Sequence, residues 1–405
     1  MQKPLRILYH HRTAASDGMR VHIDEVIKAL RDRGNLVEVV GPAANGAGGS
    51  SKLEGLADFL RRLLPASIFE LLELAYNISA YRQLTHAVKT FQPDVVYERY
   101  NLYLLAGLWL KRRYGLPMIL EVNSPLAEER AAFGKLKLRA VAERCETALW
   151  RGADAALPVT QVLADIVAKK RKTSAGIHVV PNGALLEISA DTTAVEKLRA
   201  QFGLKPGDVV MGFVGFVRAW HGVGWALDAL TSLPANTHLL VVGDGPGLPA
   251  LETRAAELKI ADRVHFAGRV PHRHIPAHIE LFDIALQTAA VAYASPLKLF
   301  EYMAHGRAII APDQPNIREI LDDNINAILF EAENEASFRA ALTRLCTDQT
   351  LRQKVGRQAR QTVEERPLTW ANNAARIETL GNALVAARTG AAQPEASAPI
   401  AASGR

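Results

Sequence analysis

A strand–helix–strand pattern recurs along the chain and limits the folds that it can adopt. Near the start, the apolar run Leu5–Tyr9 predicts a strand, Val21–Arg33 predicts a helix, and Leu36–Val40 predicts the next strand. Further on, the apolar run Val209–Val214 precedes a helical segment at Val223–Leu230. Parallel strands joined by helices form open α/β sheets, which bind ligands at the carboxyl ends of their strands. The pattern therefore predicts an α/β protein.

The length of the chain predicts more than one such sheet. Single hydrophobic cores stop growing well below 405 residues, so two domains are expected. The two cysteines, Cys145 and Cys346, lie far apart and indicate reduced thiols rather than a disulfide framework. The first residues lack a signal-peptide pattern, and no apolar run reaches the ~18 residues that span a bilayer. We therefore expect a cytoplasmic location.

The basic excess of the chain is confined to its first half. Residues 1–190 hold 26 Lys and Arg against 19 Asp and Glu, a net +7, whereas residues 191–405 hold 22 against 23, a net −1. No nucleic-acid module is recognisable, which favours an anionic lipid or phosphate as the partner. Between residues 55 and 140, a leucine-rich segment that includes Leu56, Leu60 and Leu71 indicates either a core helix or an interfacial helix on an anionic membrane.

The segment that begins at Ser295 predicts a short helix with both ends marked. Ser295 is a favourable N-cap, Pro296 suits the first helical position, and Gly306 suits the position after the helix. The helix start offers N–H groups to a phosphate, and Lys298 places a full positive charge beside them. Glu301 lies on the same face, about 6 Å along the axis at about 1.5 Å per residue. This spacing fits a diphosphate at the helix start and a ribose on Glu301, although a capped amphipathic helix with an exposed glutamate has the same pattern.

The segment from Ser295 to Gly306 resembles the sugar-nucleotide motif of the family-4 retaining glycosyltransferases, which have the GT-B fold. The resemblance implies two Rossmann-like domains that face each other across a cleft. They would comprise residues 1–188 on the acceptor side and 189–370 on the nucleotide-sugar side, with a helix at 371–388 that crosses back onto the first domain and a disordered tail at 389–405. The donor would be a UDP- or GDP-sugar. No Asp-x-Asp occurs in the chain, which fits a reaction without a metal ion.

The resemblance assigns the donor contacts to loops that follow strands. Glu301 would bind the ribose, and the backbone near Leu297 and Lys298 would hold the diphosphate. Arg269 and Val270 would contact the nucleobase. The full set of implied donor-binding residues is Gly18, Gly215, Arg269, Val270, Ser295, Leu297, Lys298 and Glu301.

The resemblance also implies how the departing diphosphate is stabilised. Arg218 matches an arginine of the family, and His221 stands where a lysine is usual. An imidazolium at His221 would make this stabilisation depend on pH. On the acceptor side, Asn123 replaces a frequent histidine, either as a catalytic residue or as a plain turn residue. Tyr293 replaces a family glutamate that lies near the transferred sugar.

These features predict a glycosyltransferase that acts on a lipid-linked or cell-envelope glycan with retention of the anomeric configuration. Two alternatives stay open. One is a non-catalytic partner that binds a sugar nucleotide or a lipid for an envelope assembly complex. The other is an NAD-dependent oxidoreductase, because Gly243 and Gly245 follow a strand, but the Gly-x-Gly-x-x-Gly pattern ends on Leu248 and is incomplete.

Overall fold

Two parallel β-sheets form the framework of the molecule. The structure, a computed structural model, describes residues 3–14, 18–42, 65–132, 134, 136–187, 191–366 and 368–390. The strands of the first sheet are β1 (Arg6–His10), β2 (Leu36–Val40), β3 (Val95–Arg99), β4 (Met118–Val122) and β5 (Ala155–Pro158). Those of the second are β6 (Val209–Val214), β7 (Thr237–Val242), β8 (Val264–Gly268), β9 (Ile284–Leu286), β10 (Ala308–Asp313) and β11 (Ile328–Glu331). The strand orders are β2-β1-β3-β4-β5 and β11-β10-β9-β6-β7-β8.

Helices connect the strands of each sheet. Around the first sheet they are α1 (Gly18–Asp32), α2 (Ala66–Phe91), α3 (Ala106–Tyr114), α4 (Leu126–Ala132), α5 (Arg139–Gly152) and α6 (Gln161–Arg171). Around the second they are α7 (Thr192–Gln201), α8 (Val223–Leu230), α9 (Leu248–Glu257), α10 (Ile275–Ile279), α11 (Leu297–Ala304), α12 (Pro315–Arg318), α13 (Glu335–Thr347) and α14 (Gln349–Glu365), and α15 (Trp370–Thr389) ends the described chain.

The strands are continuous apolar runs because helices cover both faces of each sheet. Every residue of β3, β4 and β6 is buried, as is typical of parallel sheets. Each sheet has a hydrophobic cluster on either face, so each domain has its own core. This confirms the predicted α/β fold with two Rossmann-like domains that face each other across a cleft.

The last helix, α15, packs on the first sheet although it follows the second. Trp370 and Ile377 belong to the same core as Ile7 and Ile119. Its start also contacts the segment that connects the domains, where a Cβ on Gly183 would lie 2.5 Å from the backbone nitrogen of Trp370. The boundary predicted between residues 188 and 189 lies outside the described residues, as do residues 391–405 of the predicted tail.

The first half of α2 buries polar side chains and exposes apolar ones. Glu70 and Asn77 are buried, whereas Leu71 is 52% and Ile78 58% exposed. The buried groups have partners: Glu70 accepts hydrogen bonds from two backbone N–H groups before α5, and Asn77 accepts two at the start of α3. The core-helix alternative is therefore wrong for Leu71, while Leu56 and Leu60 lie outside the described residues.

Candidate active site

Residues that follow strands of both sheets line a cavity of about 430 Å³ between the domains, here termed the first cavity. Because the carboxyl ends of parallel strands lie at one edge of a sheet, loops that are far apart in the chain meet there. The predicted site residues that line the first cavity are Gly18, Asn123, Gly215, His221, Ser295, Leu297, Lys298 and Glu301.

Glycines allow the loops after β6 and β7 to pack closely. Gly215 has φ +140°, and a Cβ there would lie 3.3 Å from Nζ of Lys298. A Cβ on Gly243 would lie 2.0 Å from the carbonyl oxygen of Gly215, and one on Gly245 would lie 2.3 Å from that of Val217. The glycines that suggested a dinucleotide fingerprint are thus required for packing between loops, which removes the main support for the oxidoreductase alternative.

The helix α11 begins two residues after Ser295, so the predicted N-cap is wrong. The N-cap is Pro296, and no side chain caps the helix. Ser295 instead binds Asn182 of the connecting segment: its Oγ accepts the Asn182 N–H at 3.2 Å, and its carbonyl oxygen accepts Nδ2 at 2.5 Å. The first N–H groups of a helix have no partner inside it, so this helix start can receive an anion.

Lys298 lies over an aromatic ring at the start of α11. Its Nζ is 3.8 Å from the centroid of the Phe213 ring. Burial lowers the pKa of Lys298 to about 7, and the nearby Glu301 only partly opposes this effect. Among the described residues, no ion pair is recorded for Lys298. The full positive charge predicted from the sequence is therefore corrected to a lysine that is partly neutral at pH 7.

Glu301 contacts a histidine that the sequence did not indicate. Nε2 of His272 lies 3.2 Å from Oε1 of Glu301, and this hydrogen bond is the main cause that raises the pKa of His272. His272 begins the short turn His272–His274 after β8 and also lines the first cavity. The two residues are 29 positions apart, a separation that no local pattern predicts. The Glu301 side chain is 28% exposed, so a ligand can still reach it.

His221 is neutral at physiological pH. Burial lowers its pKa to about 4, with smaller contributions from the charges of Lys298 and Arg218. Its Nδ1 accepts the backbone N–H of Arg218 at 3.3 Å, so Nε2 carries the ring proton. Of a neutral imidazole and an imidazolium at His221, the lowered pKa favours the neutral form in the ligand-free protein, because the ring is partly enclosed and shares its surroundings with two cations. The neutral ring keeps one N–H donor, and a hydrogen bond to the backbone of Phe216 is the one contribution that raises its pKa.

The buried carboxylate of Glu121 organises the first-domain wall of the cavity. Its Oε1 contacts Arg99, Nε2 of His22 at 2.9 Å and Nδ2 of Asn123 at 2.5 Å, and its Oε2 accepts the Tyr97 hydroxyl at 2.8 Å. Burial alone would raise the pKa of Glu121, but His22, Arg99 and the hydrogen bonds outweigh it and lower the pKa. Asn123 therefore donates to Glu121 and lines the first cavity, and both alternatives for it, a catalytic residue and a turn residue, stay open.

His22 links the two walls of the first cavity. Its Nδ1 lies 2.7 Å from Oδ1 of Asn182, the residue that also binds Ser295. The other ring nitrogen, Nε2, is buried and lies 2.9 Å from Oε1 of Glu121, within ion-pair distance but without a hydrogen-bond partner in the described part of the chain. His22 belongs to helix α1 and also lines the first cavity, so both alternatives for it, a ligand contact and a helix residue, stay open.

Two family models match the chain, one over each domain. The model described as Glycosyltransferase Family 4 matches residues 16–187, and that described as Glycosyl transferases group 1 matches residues 194–362. The chain belongs to the family-4 glycosyltransferases. It is therefore a transferase enzyme, and its two facing domains form the GT-B fold.

Named relatives support this assignment over most of the chain. The glycosyltransferase is 26% identical to the D-inositol 3-phosphate glycosyltransferase of Xylanimonas cellulosilytica, over 86% of this chain and 88% of the relative. It is 22% identical to the alpha-monoglucosyldiacylglycerol synthase of Streptococcus pneumoniae, over 63% of this chain and 60% of the relative. Its fold matches HepE of Anabaena, whose structure contains UDP-glucose, with a TM-score of 0.71, 18% identity and coverage of 93% and 100% of the two chains.

Three residues expected in the site of this glycosyltransferase do not line the first cavity. The guanidinium of Arg218 lies 5.3 Å from the ring centroid of Phe216 and borders a neighbouring cavity instead. Arg269 and Val270 follow β8 but lie outside the lining, where Val270 packs against a hydrophobic cluster. His272, which follows them in the same loop, lines the first cavity.

The side chain of Tyr293 in the second domain contacts a carboxylate of the first domain. The sequence places no acid next to Tyr293, but its hydroxyl lies 3.1 Å from Oε2 of Glu129, a residue of α4. The same oxygen also accepts a hydrogen bond from Ser124. Because the two partners are 164 positions apart, only the closure of the two domains brings them together.

No described helix is both long enough and apolar enough to span a bilayer. No three His, Cys, Asp or Glu side chains in the described ranges are grouped so that they could hold a metal ion.

Proposed function

We propose that this enzyme transfers a sugar from a UDP- or GDP-sugar to an acceptor hydroxyl. The observation that carries the proposal is the first cavity, in which loops of both domains bring Gly215, Lys298, Glu301, His221 and Asn123 together. The complex of the structurally similar HepE with UDP-glucose supports a sugar nucleotide as the donor. Open α/β sheets bind nucleotides at this edge of the sheet.

The second domain would hold the nucleotide. The diphosphate would lie at the uncapped start of α11, against Gly215 and the ammonium group of Lys298. The ribose hydroxyls would donate hydrogen bonds to Glu301, in place of or beside His272. The guanidinium of Arg218 lies over the ring of Phe216 and would act on the diphosphate from the edge of this cluster.

The chemical step would proceed with retention of the anomeric configuration. The acceptor oxygen would bond to the anomeric carbon on the face from which the diphosphate leaves, while the bond from that carbon to the diphosphate oxygen breaks. The acceptor proton would pass to the departing phosphate oxygen. Lys298 and the N–H of His221 would stabilise the charge that develops there, and Asn123 would border the acceptor side. The configuration of the product, read by NMR, tests this step.

We further propose that the reaction needs no metal ion, because Lys298, His221 and the helix start can together offset the diphosphate charge. Nucleotide release should then continue in EDTA at the rate seen without it. A strict requirement for Mg²⁺ or Mn²⁺ would contradict this part of the proposal.

Binding and turnover of a small set of sugar nucleotides test the main proposal. UDP-glucose, UDP-N-acetylglucosamine and GDP-mannose are suitable probes for calorimetry, followed by assays of nucleotide release. The proposal expects that one donor class binds and is turned over. Binding without turnover in the presence of cell-envelope extracts would instead favour the non-catalytic partner. Binding of none would reject the main proposal and leave a lipid-binding partner as the alternative.

For the acceptor, we propose a lipid-linked or cell-envelope glycan at the cytoplasmic face of a membrane. The alpha-monoglucosyldiacylglycerol synthase of Streptococcus pneumoniae, to which the chain is similar, is named for a lipid product. An exposed apolar stripe on α2 is formed by Ile68, Leu71, Leu72 and Ile78. Basic Arg82 on α2 and Arg112 and Arg113 on α3 are also exposed. Apolar insertion combined with basic contacts is typical of docking on an anionic membrane.

Vesicle flotation tests the membrane contact. The protein should float with vesicles that contain phosphatidylglycerol and not with phosphatidylcholine alone, and Leu71→Ser with Leu72→Ser should abolish most of the binding. Ile325→Ser is a matched control because Ile325 is 53% exposed on the second domain. Equal binding to both vesicle types, or full binding by the double variant, would reject this contact.

A further inference from the structure

A second cavity, of about 620 Å³, lies beside the first. The loop from Arg218 to Gly222 and the segment around Tyr293 border it, while His221 and Ala294 line the first cavity. Thr288 of the second cavity donates a hydrogen bond to the carbonyl oxygen of His221. The two cavities therefore meet at His221, the residue that also borders the proposed leaving group.

The second cavity has a carboxylate from the first domain in its wall. Oε2 of Glu129 accepts hydrogen bonds from Ser124 and, at 3.1 Å, from the hydroxyl of Tyr293. Burial, followed by the charge of Glu129, raises the pKa of Tyr293 to about 12, so the hydroxyl stays a donor. Among the described residues, no hydrogen bond to Oε1 of Glu129 is recorded, and this oxygen can accept from a ligand.

The remaining lining has the composition of a site for a polar ring. Trp220 is 46% exposed and presents an indole to the cavity, with Trp225 also in the lining. Aromatic side chains offer a flat apolar surface, while carboxylates accept hydrogen bonds from hydroxyl groups. Arg218 and Glu333 give the rim charges of both signs, which disfavours a purely apolar or a strongly anionic occupant.

We propose that the second cavity binds a hydroxylated ring, either the transferred sugar or the acceptor, and that Glu129 accepts hydrogen bonds from its hydroxyl groups. This inference rests on the proposed function. The second cavity adjoins His221, which borders the proposed leaving diphosphate, so a ring bound there would lie beside the reacting groups. Glu129 is then a specificity-determining residue supplied by the first domain.

The test compares Glu129→Gln with the matched control Glu128→Gln. Glutamine keeps the size of Glu129 and can accept from Ser124 and Tyr293, so the variant should fold. Glu128 is exposed on the same helix and does not line the second cavity. Calorimetry with UDP, UDP-glucose, GDP and GDP-mannose gives the contribution of the donor sugar. Nucleotide release with glucose, N-acetylglucosamine and myo-inositol as acceptor probes gives the contribution of the acceptor.

Glu129→Gln should leave the Kd values of UDP and GDP unchanged and weaken one ring-dependent step by about tenfold to hundredfold, the scale of one hydrogen bond to a charged group. A loss confined to the sugar nucleotide assigns the cavity to the transferred sugar, and a loss confined to acceptor-stimulated release assigns it to the acceptor.

Equal behaviour of Glu129→Gln and Glu128→Gln in an active enzyme would overturn the inference and leave the proposed function intact. A parallel loss of UDP affinity and of thermal stability would overturn it as well, because Glu129 would then act only as a contact between domains. Failure of the wild-type protein to bind any sugar nucleotide would overturn the proposed function, and the inference would fall with it.

Discussion

The two walls of the first cavity handle charge in opposite ways. In the first-domain wall, Glu121 is surrounded by Arg99, His22, Asn123 and Tyr97, and every charge has a partner within the protein. In the second-domain wall, burial lowers the pKa of Lys298 to about 7 and that of His221 to about 4. One wall is electrostatically complete, whereas the other holds, beside the paired Glu301 and His272, two basic groups whose charge is suppressed.

The difference indicates which wall waits for a ligand. A buried ion-pair network needs no further charge and fixes the positions of its members. Near pH 8, a lysine whose pKa is lowered to about 7 gains its charge when an anion binds beside it, and a diphosphate would supply two or more negative charges. We therefore assign a scaffold role to the first-domain wall and donor binding to the second.

The largest expected effect comes from breaking the complete wall. Glu121→Ala leaves Arg99 buried without its partner and should lower the free energy of unfolding by about 3–5 kcal/mol. Since the pKa of Glu121 is lowered in the folded protein, its contribution is present above pH ~4 and is lost as the pH falls below that value. Urea denaturation at pH 7 measures the effect, with the exposed Glu128→Ala as control. A loss below about 0.5 kcal/mol, which is ordinary for a surface site, would contradict the scaffold role.

A smaller effect, on rate rather than on stability, is expected in the other wall. Lys298→Met should lower kcat by roughly 10²–10³, the scale for losing one preorganised charge-stabilising group. It should not destabilise the protein, because a lysine whose pKa is lowered by folding costs stability at every pH below about 10. Steady-state kinetics and thermal melts measure both. Arg218→Ala is the comparison variant. Because the Arg218 guanidinium lies over Phe216 outside the first cavity, this variant should lower kcat by less than about tenfold. If Arg218→Ala lowered kcat more than Lys298→Met does, Arg218 would be the main group that stabilises the departing diphosphate.

Next in size is the loss of the ribose contact. Glu301→Gln should raise the Kd of the nucleotide by about 10-fold to 100-fold, the value of one hydrogen bond to a charged group, with little change in the fold. Inorganic pyrophosphate, which lacks a ribose, should bind the variant and the wild type alike. Calorimetric competition gives both numbers, and a matching loss for pyrophosphate would place Glu301 at the diphosphate instead.

Local patterns in the sequence were sufficient for the framework. Apolar runs such as Val209–Val214 predict buried parallel strands because a short apolar run is a local feature that its own residues show. The helix from Leu297 to Ala304 and the turn at Gly306 follow from the same kind of local signal. The positions of Gly215 and Lys298 at a strand end and a helix start could likewise be predicted.

Features that depend on contacts between residues far apart in the chain could not be predicted from local sequence patterns. The sequence predicted a full charge on Lys298 because its enclosure depends on Phe213 in strand β6, and no local pattern around Lys298 indicates that contact. The pairing of Glu301 with His272 has the same origin. Glu129 reaches Tyr293 across 164 positions and between two domains, so the sequence could name both residues but not their contact.

Proton uptake on nucleotide binding tests the central claim that the second-domain wall holds suppressed charge. At pH 8, Lys298 with a pKa of about 7 is mostly neutral, and a bound diphosphate should raise its pKa and draw in about one proton. Calorimetric titration of UDP in HEPES and in Tris, two buffers with different ionisation enthalpies, measures that number. We predict that UDP binding takes up close to one proton in the wild type and none in Lys298→Met. A binding enthalpy that is the same in both buffers for the wild type would contradict it.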